Sequence, residues 1–176
     1  GVQIIDISDP TAIVAKDAAT NGGTFTELDG AWGVDTFTIG SSTYAIVTSY
    51  LDGVQIIDIS DPTAIVAKDA EHDGVNGFTM LDGAHGVSTF TIGSSTYAIV
   101  VSYIDDGVQM IDISDPTAIV AVDDETDGVN GFTMLDKAEA VSTFVIGSST
   151  YAIVAGSDDD GVQIIDISDP TAIVAK

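Results

Sequence analysis

Asp58-Ile-Ser-Asp-Pro-Thr-Ala-Ile-Val-Ala67 decides the fold, because the same ten residues recur unchanged at 6–15, 112–121 and 166–175. Each copy follows Gly-Val-Gln-(Ile/Met)-Ile, which begins at Gly1, Gly53, Gly107 and Gly161, so the spacings are 52, 54 and 54 residues. A fixed unit of that length means a solenoid, a propeller or an array. The repeat speaks to architecture first and to function much less.

Within the unit 53–106, Gly53–Ser60 is β-branched and apolar on both faces apart from Gln55 and Asp58. Asp61-Pro62 is a turn pair, and Ala64–Ala67 supplies a short second run. Asp69–Gly77 is polar and reads as a loop, while Phe78–Gly83 reads as a loop or a single helical turn. Gly86–Ile92 alternates apolar with small polar residues, the period of a half-buried strand. After Gly93-Ser94-Ser95, the run Thr96–Tyr103 is a further strand. Tyr-Ala-Ile-Val at 44–47, 97–100 and 151–154 does not alternate, as expected of a strand covered on both faces. Four short antiparallel strands per unit predict an all-β, β-propeller-like array of blades. A β-solenoid is the alternative, although its coils are normally much shorter.

Charge sets the second boundary. Twenty-eight acidic residues face four lysines (Lys16, Lys68, Lys137 and Lys176) and no arginine, a formal net charge of −24. Nucleic-acid binding needs clustered Lys and Arg, which this chain lacks. No apolar run reaches the ~18–20 residues that membrane insertion as a helix requires. With no cysteine, disulfides and thiolate zinc sites are excluded. The start at a glycine inside a repeat reads as a processed product or a segment of something longer.

Gly86-Val-x-x-Phe-x-Ile-Gly-x-x-x-Tyr97-Ala-Ile-Val, followed by Asp106-Gly-Val-Gln-x-Ile-Asp-Ile-Ser-Asp-Pro116, resembles the LVIVD-type β-propeller repeat. The likeness covers about 40 of each 54 residues and departs from the family at the insertion Asp69–Gly83. It implies propellers on bacterial and archaeal surface or secreted proteins, with no single assigned activity. Mapped onto that plan, residues 1–16 are the outer two strands of a half blade. Repeat blades then occupy 17–68, 69–122 and 123–176.

Alternating acids followed by glycine single out the inserted loop. Asp69, Glu71 and Asp73 before Gly74, and Asp123, Glu125 and Asp127 before Gly128, have the spacing of oxygen ligands for a hard cation such as calcium. The distal bidentate glutamate of a full calcium loop is missing, and the first unit keeps only Asp17 of the three acids. The alternative is a solvated acidic turn. Asp52, Asp105-Asp106 and Asp158-Asp159-Asp160 are read as hydrated turn tips that discourage edge pairing. Asp6, Asp58, Asp112 and Asp166 sit inside apolar strands and are expected to accept local hydrogen bonds. Trp32, His85 and Glu139 are one position in three units, read as an exposed surface where identity matters little, with a position that tunes a ligand as the alternative.

Near-identical units offer no unique acid–base constellation, so catalysis is not expected. The expected function is a structural or adhesive module of a cell-surface or secreted protein, assembling through open blade edges into a homo-oligomeric ring or fibre. A calcium- or glycan-binding propeller module is the alternative.

Overall fold

The structure is a computed structural model that describes residues 1–51 and 53–176. All regular elements among these residues are β-strands. β1 (Val2–Asp6) and β2 (Val14–Ala19) pair as a two-stranded sheet. β3 (Ala31–Ile39), β4 (Ser42–Ser49), β5 (Gly53–Asp58) and β6 (Val66–His72) form an antiparallel meander. A second meander comprises β7 (Ala84–Ile92), β8 (Ser95–Ser102), β9 (Gly107–Asp112) and β10 (Val120–Thr126). The third runs through β11 (Ala138–Ile146), β12 (Ser149–Gly156), β13 (Gly161–Asp166) and β14 (Val174–Ala175). β3 packs beside β7 and β7 beside β11, so the first strands of the three blades stand together.

Local chemistry explains the turns. Gly40, Gly93 and Gly147, all near φ +60°, close the first hairpin of each blade in a conformation that side chains disfavour. In the repeated block, Asp58 Oδ1 accepts the Ser60 N–H at 3.0 Å, and Asp61 Oδ1 accepts the Thr63 N–H and hydroxyl at 2.9 and 2.7 Å. Asp6, Asp112 and Asp166 accept the equivalent serine N–H, which is the local hydrogen bonding expected of them. Those bonds, with the Lys16 ammonium 3.1 Å away, lower the Asp6 pKa to about 2. Gln55 is buried mid-strand and fully used. Its carbonyl oxygen takes the N–H groups of Thr26 and Glu27, and its amide donates to the Asp69 carbonyl, tying the incoming loop to the sheet.

Successive blades bury one face against the next. Phe37, Ile46, Val54 and Ile56 of the first blade meet Val100, Ile111, Ile113 and Ile119 of the second, with Phe78 and Leu81 inserted from the connecting segment. The second and third blades repeat this cluster with Ile99, Val108, Met110, Val154, Ile165, Ile167, Phe132 and Leu135. Each strand buried on both faces thereby accounts for the non-alternating Tyr-Ala-Ile-Val and Gly-Val-Gln-Ile-Ile runs.

The two ends of the array are bare. Val54 and Val108 are fully buried, yet Val162, the same position in the last blade, is 57% exposed. At the other end Ile5 and Ile7 are 51% and 67% exposed, whereas Ile111 and Ile113 are fully buried. Beside β1, a groove of about 240 Å³ opens onto Val34, Val47 and Ile57, because the two-stranded sheet covers only part of the first blade.

Two expectations need correction. The fourth strands do not stop near 68 and 122 but run on to His72 and Thr126, so Asp69–His72 is strand and not loop. Their polar sequence hides the pairing, and a bulge at Lys68, between the Ala67–Ile57 and Asp69–Ile56 pairs, breaks the alternation. Phe78–Gly83 forms no helical turn. It is an irregular segment whose Phe78 and Leu81 fill the blade interface.

Candidate functional site: a bulged rim of aromatic rings

Each first strand opens with a β-bulge. In β3, Ala31 pairs with Ser49 and Val34 with Val47, leaving Trp32 and Gly33 opposite Thr48 alone. β7 has the same irregularity between Ala84 and Val87, and β11 between Ala138 and Ala140. A bulge bends its strand and re-aims a side chain. The re-aimed residues are Trp32, His85 and Glu139.

These side chains converge. The His85 ring stacks on Trp32 at 4.3 Å between centroids and on Tyr103 at 5.1 Å. Tyr50 leans on the stack, 5.6 Å from His85 and 6.2 Å from Trp32. Together with Glu139 these residues line a groove. His85 is 5% exposed and its Nδ1 has no hydrogen-bond partner, whereas Trp32 is 65% exposed. Burial lowers the His85 pKa, against a weaker upward pull from Glu139, which keeps the imidazole neutral at neutral pH. Lys137 places its ammonium 6.0 Å from the Tyr103 ring centre and pairs with Asp158. Nearby, the Asp136 carboxyl is raised by burial and then by the negative charge of Asp106, with smaller pushes from Asp158 and Asp159.

The expected exposure holds at Trp32 and Glu139 but not at His85, which is enclosed between two rings. More than half of the positions that differ between the second and third units fall at 83–86 and 101–104, around this rim. Alignment of the units exposes that column. Only the bulges bring it together.

The acidic loops are organised otherwise. Asp69 Oδ2 accepts the Ile119 N–H of the next blade at 2.8 Å, and Asp123 does the same for Ile173. Glu71 and Glu125 accept Asn76 and Asn130 side-chain N–H groups at 3.0–3.1 Å. Asp73 and Asp127 accept the Leu81 and Leu135 N–H groups at 3.1 and 3.0 Å. In the first unit Asn21 makes that last bond to Leu28, so the role needs an oxygen and not a charge. Each acid anchors a different segment, and no group of three His, Asp or Glu side chains that could hold a metal ion occurs among the described residues. The structure does not bring Asp69, Glu71 and Asp73, or Asp123, Glu125 and Asp127, together as a ligand set.

The acidic turns also hold backbone. Asp105 and Asp159 accept the N–H groups of Asp82 and Asp136, and Asp106 accepts that of Lys137. Asp52 lies outside the described residues.

Meanders of four antiparallel strands, stacked face to face with their first strands together, define a β-propeller-like repeat protein. The model of the LVIVD repeat matches the chain at three places, residues 1–19, 41–70 and 145–176, consistent with the LVIVD-type repeat family. No curated protein sequence matches the chain. Among solved structures, the chain is similar to a GH32 beta-fructofuranosidase from Bombyx mori, with a TM-score of 0.50 and 11% identity. That alignment covers 93% of this chain and 41% of the enzyme, and at such identity it speaks to the fold alone.

Proposed function

We propose that the chain is a non-enzymatic structural or adhesive repeat module of a cell-surface or secreted protein, self-assembling head to tail through its open blade faces. The observation that carries this reading is the contrast between Val162 at 57% exposure and the fully buried Val54 and Val108. Apolar surface of this kind is rarely left open on a soluble monomer. The opposite end supplies the matching surface, since Ile5, Ile7 and Ile13 are the residues that pack on the Val54 face in the form of Ile111, Ile113 and Ile119. A contact between unlike faces repeats as a ring if its rotation closes and as a filament if it does not.

Steric detail favours the half blade as the incoming element. A Cβ on Gly33 would lie 2.3 Å from the His85 carbonyl oxygen, and one on Gly86 would lie 2.8 Å from that of Glu139. The third blade has Ala140 there, so another first strand could not approach β11 as β7 approaches β3. The β1–β2 sheet has no such strand and can cover Val162 and Ile164 without meeting Ala140. Light scattering of the chain alone tests the proposal: masses above 18.0 kDa that grow with concentration support it. A monodisperse monomer at all concentrations overturns it.

A further inference from the structure

We infer that the groove lined by Trp32, Tyr50, His85, Tyr103 and Glu139 binds a quaternary ammonium group. Four of its five lining side chains present rings and the fifth is a carboxylate. Rings attract cations through their negative faces, tryptophan most strongly, and methylated ammonium ions are the cations whose weak hydration suits such walls.

Further observations point the same way. The stack already receives a cation at one end, where Lys137 lies over Tyr103, while Trp32 remains largely open at the other. His85, held between Trp32 and Tyr103, adds no repelling charge while it is neutral. The net charge of −24 spreads a negative field over the molecule. Bulges at 32, 85 and 139 and the concentration of unit-to-unit differences at 83–86 and 101–104 set this rim apart from the uniform scaffold. The methylated cation has two natural forms, a free choline-type solute or a choline headgroup in a lipid surface.

The test is a titration with choline followed by Trp32 fluorescence, the only tryptophan of the chain. Choline is expected to change the emission saturably, and its neutral isostere 3,3-dimethylbutanol to bind at least about tenfold more weakly. Trp32→Ala, followed by calorimetry because it removes the fluorophore, should weaken binding about tenfold, while Trp32→Phe retains part of it; Trp32 is exposed, and circular dichroism checks that both variants fold. Glu139→Gln should weaken binding severalfold and flatten its salt dependence. Sedimentation with phosphatidylcholine vesicles distinguishes the sources: binding to vesicles assigns the headgroup, binding to free choline alone assigns a solute, and either upholds the site. No response to choline, an equal response to the neutral isostere, or a preference for a neutral methyl glucoside overturns it.

Discussion

Asp69 Oδ2 accepts the backbone N–H of Ile119 across the boundary between the first and second blades, at 2.8 Å. Asp17 does this for Ile65 and Asp123 for Ile173, both also at 2.8 Å, so one bond recurs at every junction between repeats. The acids that look most like cation ligands are the clamps of the array. Asp69→Ala leaves the Ile119 N–H without its partner and should cost about 1–3 kcal/mol. Asp69→Asn, which keeps an acceptor oxygen, should cost less. Urea unfolding midpoints measure both, and equal stability of wild type and Asp69→Ala contradicts the clamp.

Asp73 gives a sharper comparison, because Asn21 does the same work in the first unit. Asp73→Asn should change stability by less than about 0.5 kcal/mol, whereas Asp73→Ala should lose about 1 kcal/mol. With the acids committed to separate partners, calcium should raise the melting temperature no more than sodium chloride of equal ionic strength. A specific calcium shift that disappears in Asp73→Asn would return the loop to the role of a cation site.

The strands were readable because Gly-Val-Gln-Ile-Ile and Tyr-Ala-Ile-Val are locally unambiguous and their turns are marked by Asp-Pro and Gly-Ser-Ser. The outer end of each blade was not. Val66–His72 has little apolar pattern and contains a bulge, so its pairing depends on Gly53–Asp58 and not on its own sequence. Spacing alone gathers Asp69, Glu71 and Asp73, but along a strand followed by a turn their oxygens meet separate partners. The aromatic rim was visible only as a variable column. Residues 53 positions apart, such as Trp32 and His85, meet because bulges turn them toward each other.

Close approach of the first strands makes glycine a requirement at two positions and not at a third. Gly33→Ala should destabilise by about 1–3 kcal/mol, since its Cβ meets the His85 carbonyl oxygen. Ala140→Gly, at an exposed position, should cost no more than about 1 kcal/mol. Thermal melts of both variants decide. A neutral Gly33→Ala would mean that the blades sit further apart than described.

Acid should act on the rim before it acts on the turns. The His85 pKa lies below its ordinary value of 6.5, so the unfolded chain takes up that proton first and stability falls as pH drops below 6.5. Asp6, lowered from 3.8 to about 2, contributes stability above 3.8 that is lost as pH falls toward 2. Between pH 7 and 5, His85→Gln should therefore lose less melting temperature than the wild type does. An identical pH profile for the two contradicts the burial of a neutral imidazole.

Sedimentation equilibrium of two end variants, alone and mixed, tests head-to-tail assembly most directly. Val162→Asp spoils the last blade face and Ile5→Asp the half-blade face, and both side chains are exposed, so folding is spared. The account predicts that each variant alone is a monomer near 18.0 kDa, and that an equimolar mixture forms a dimer through the one intact face on each. Variants that still assemble alone, or a mixture that stays monomeric while the wild type associates, would contradict it.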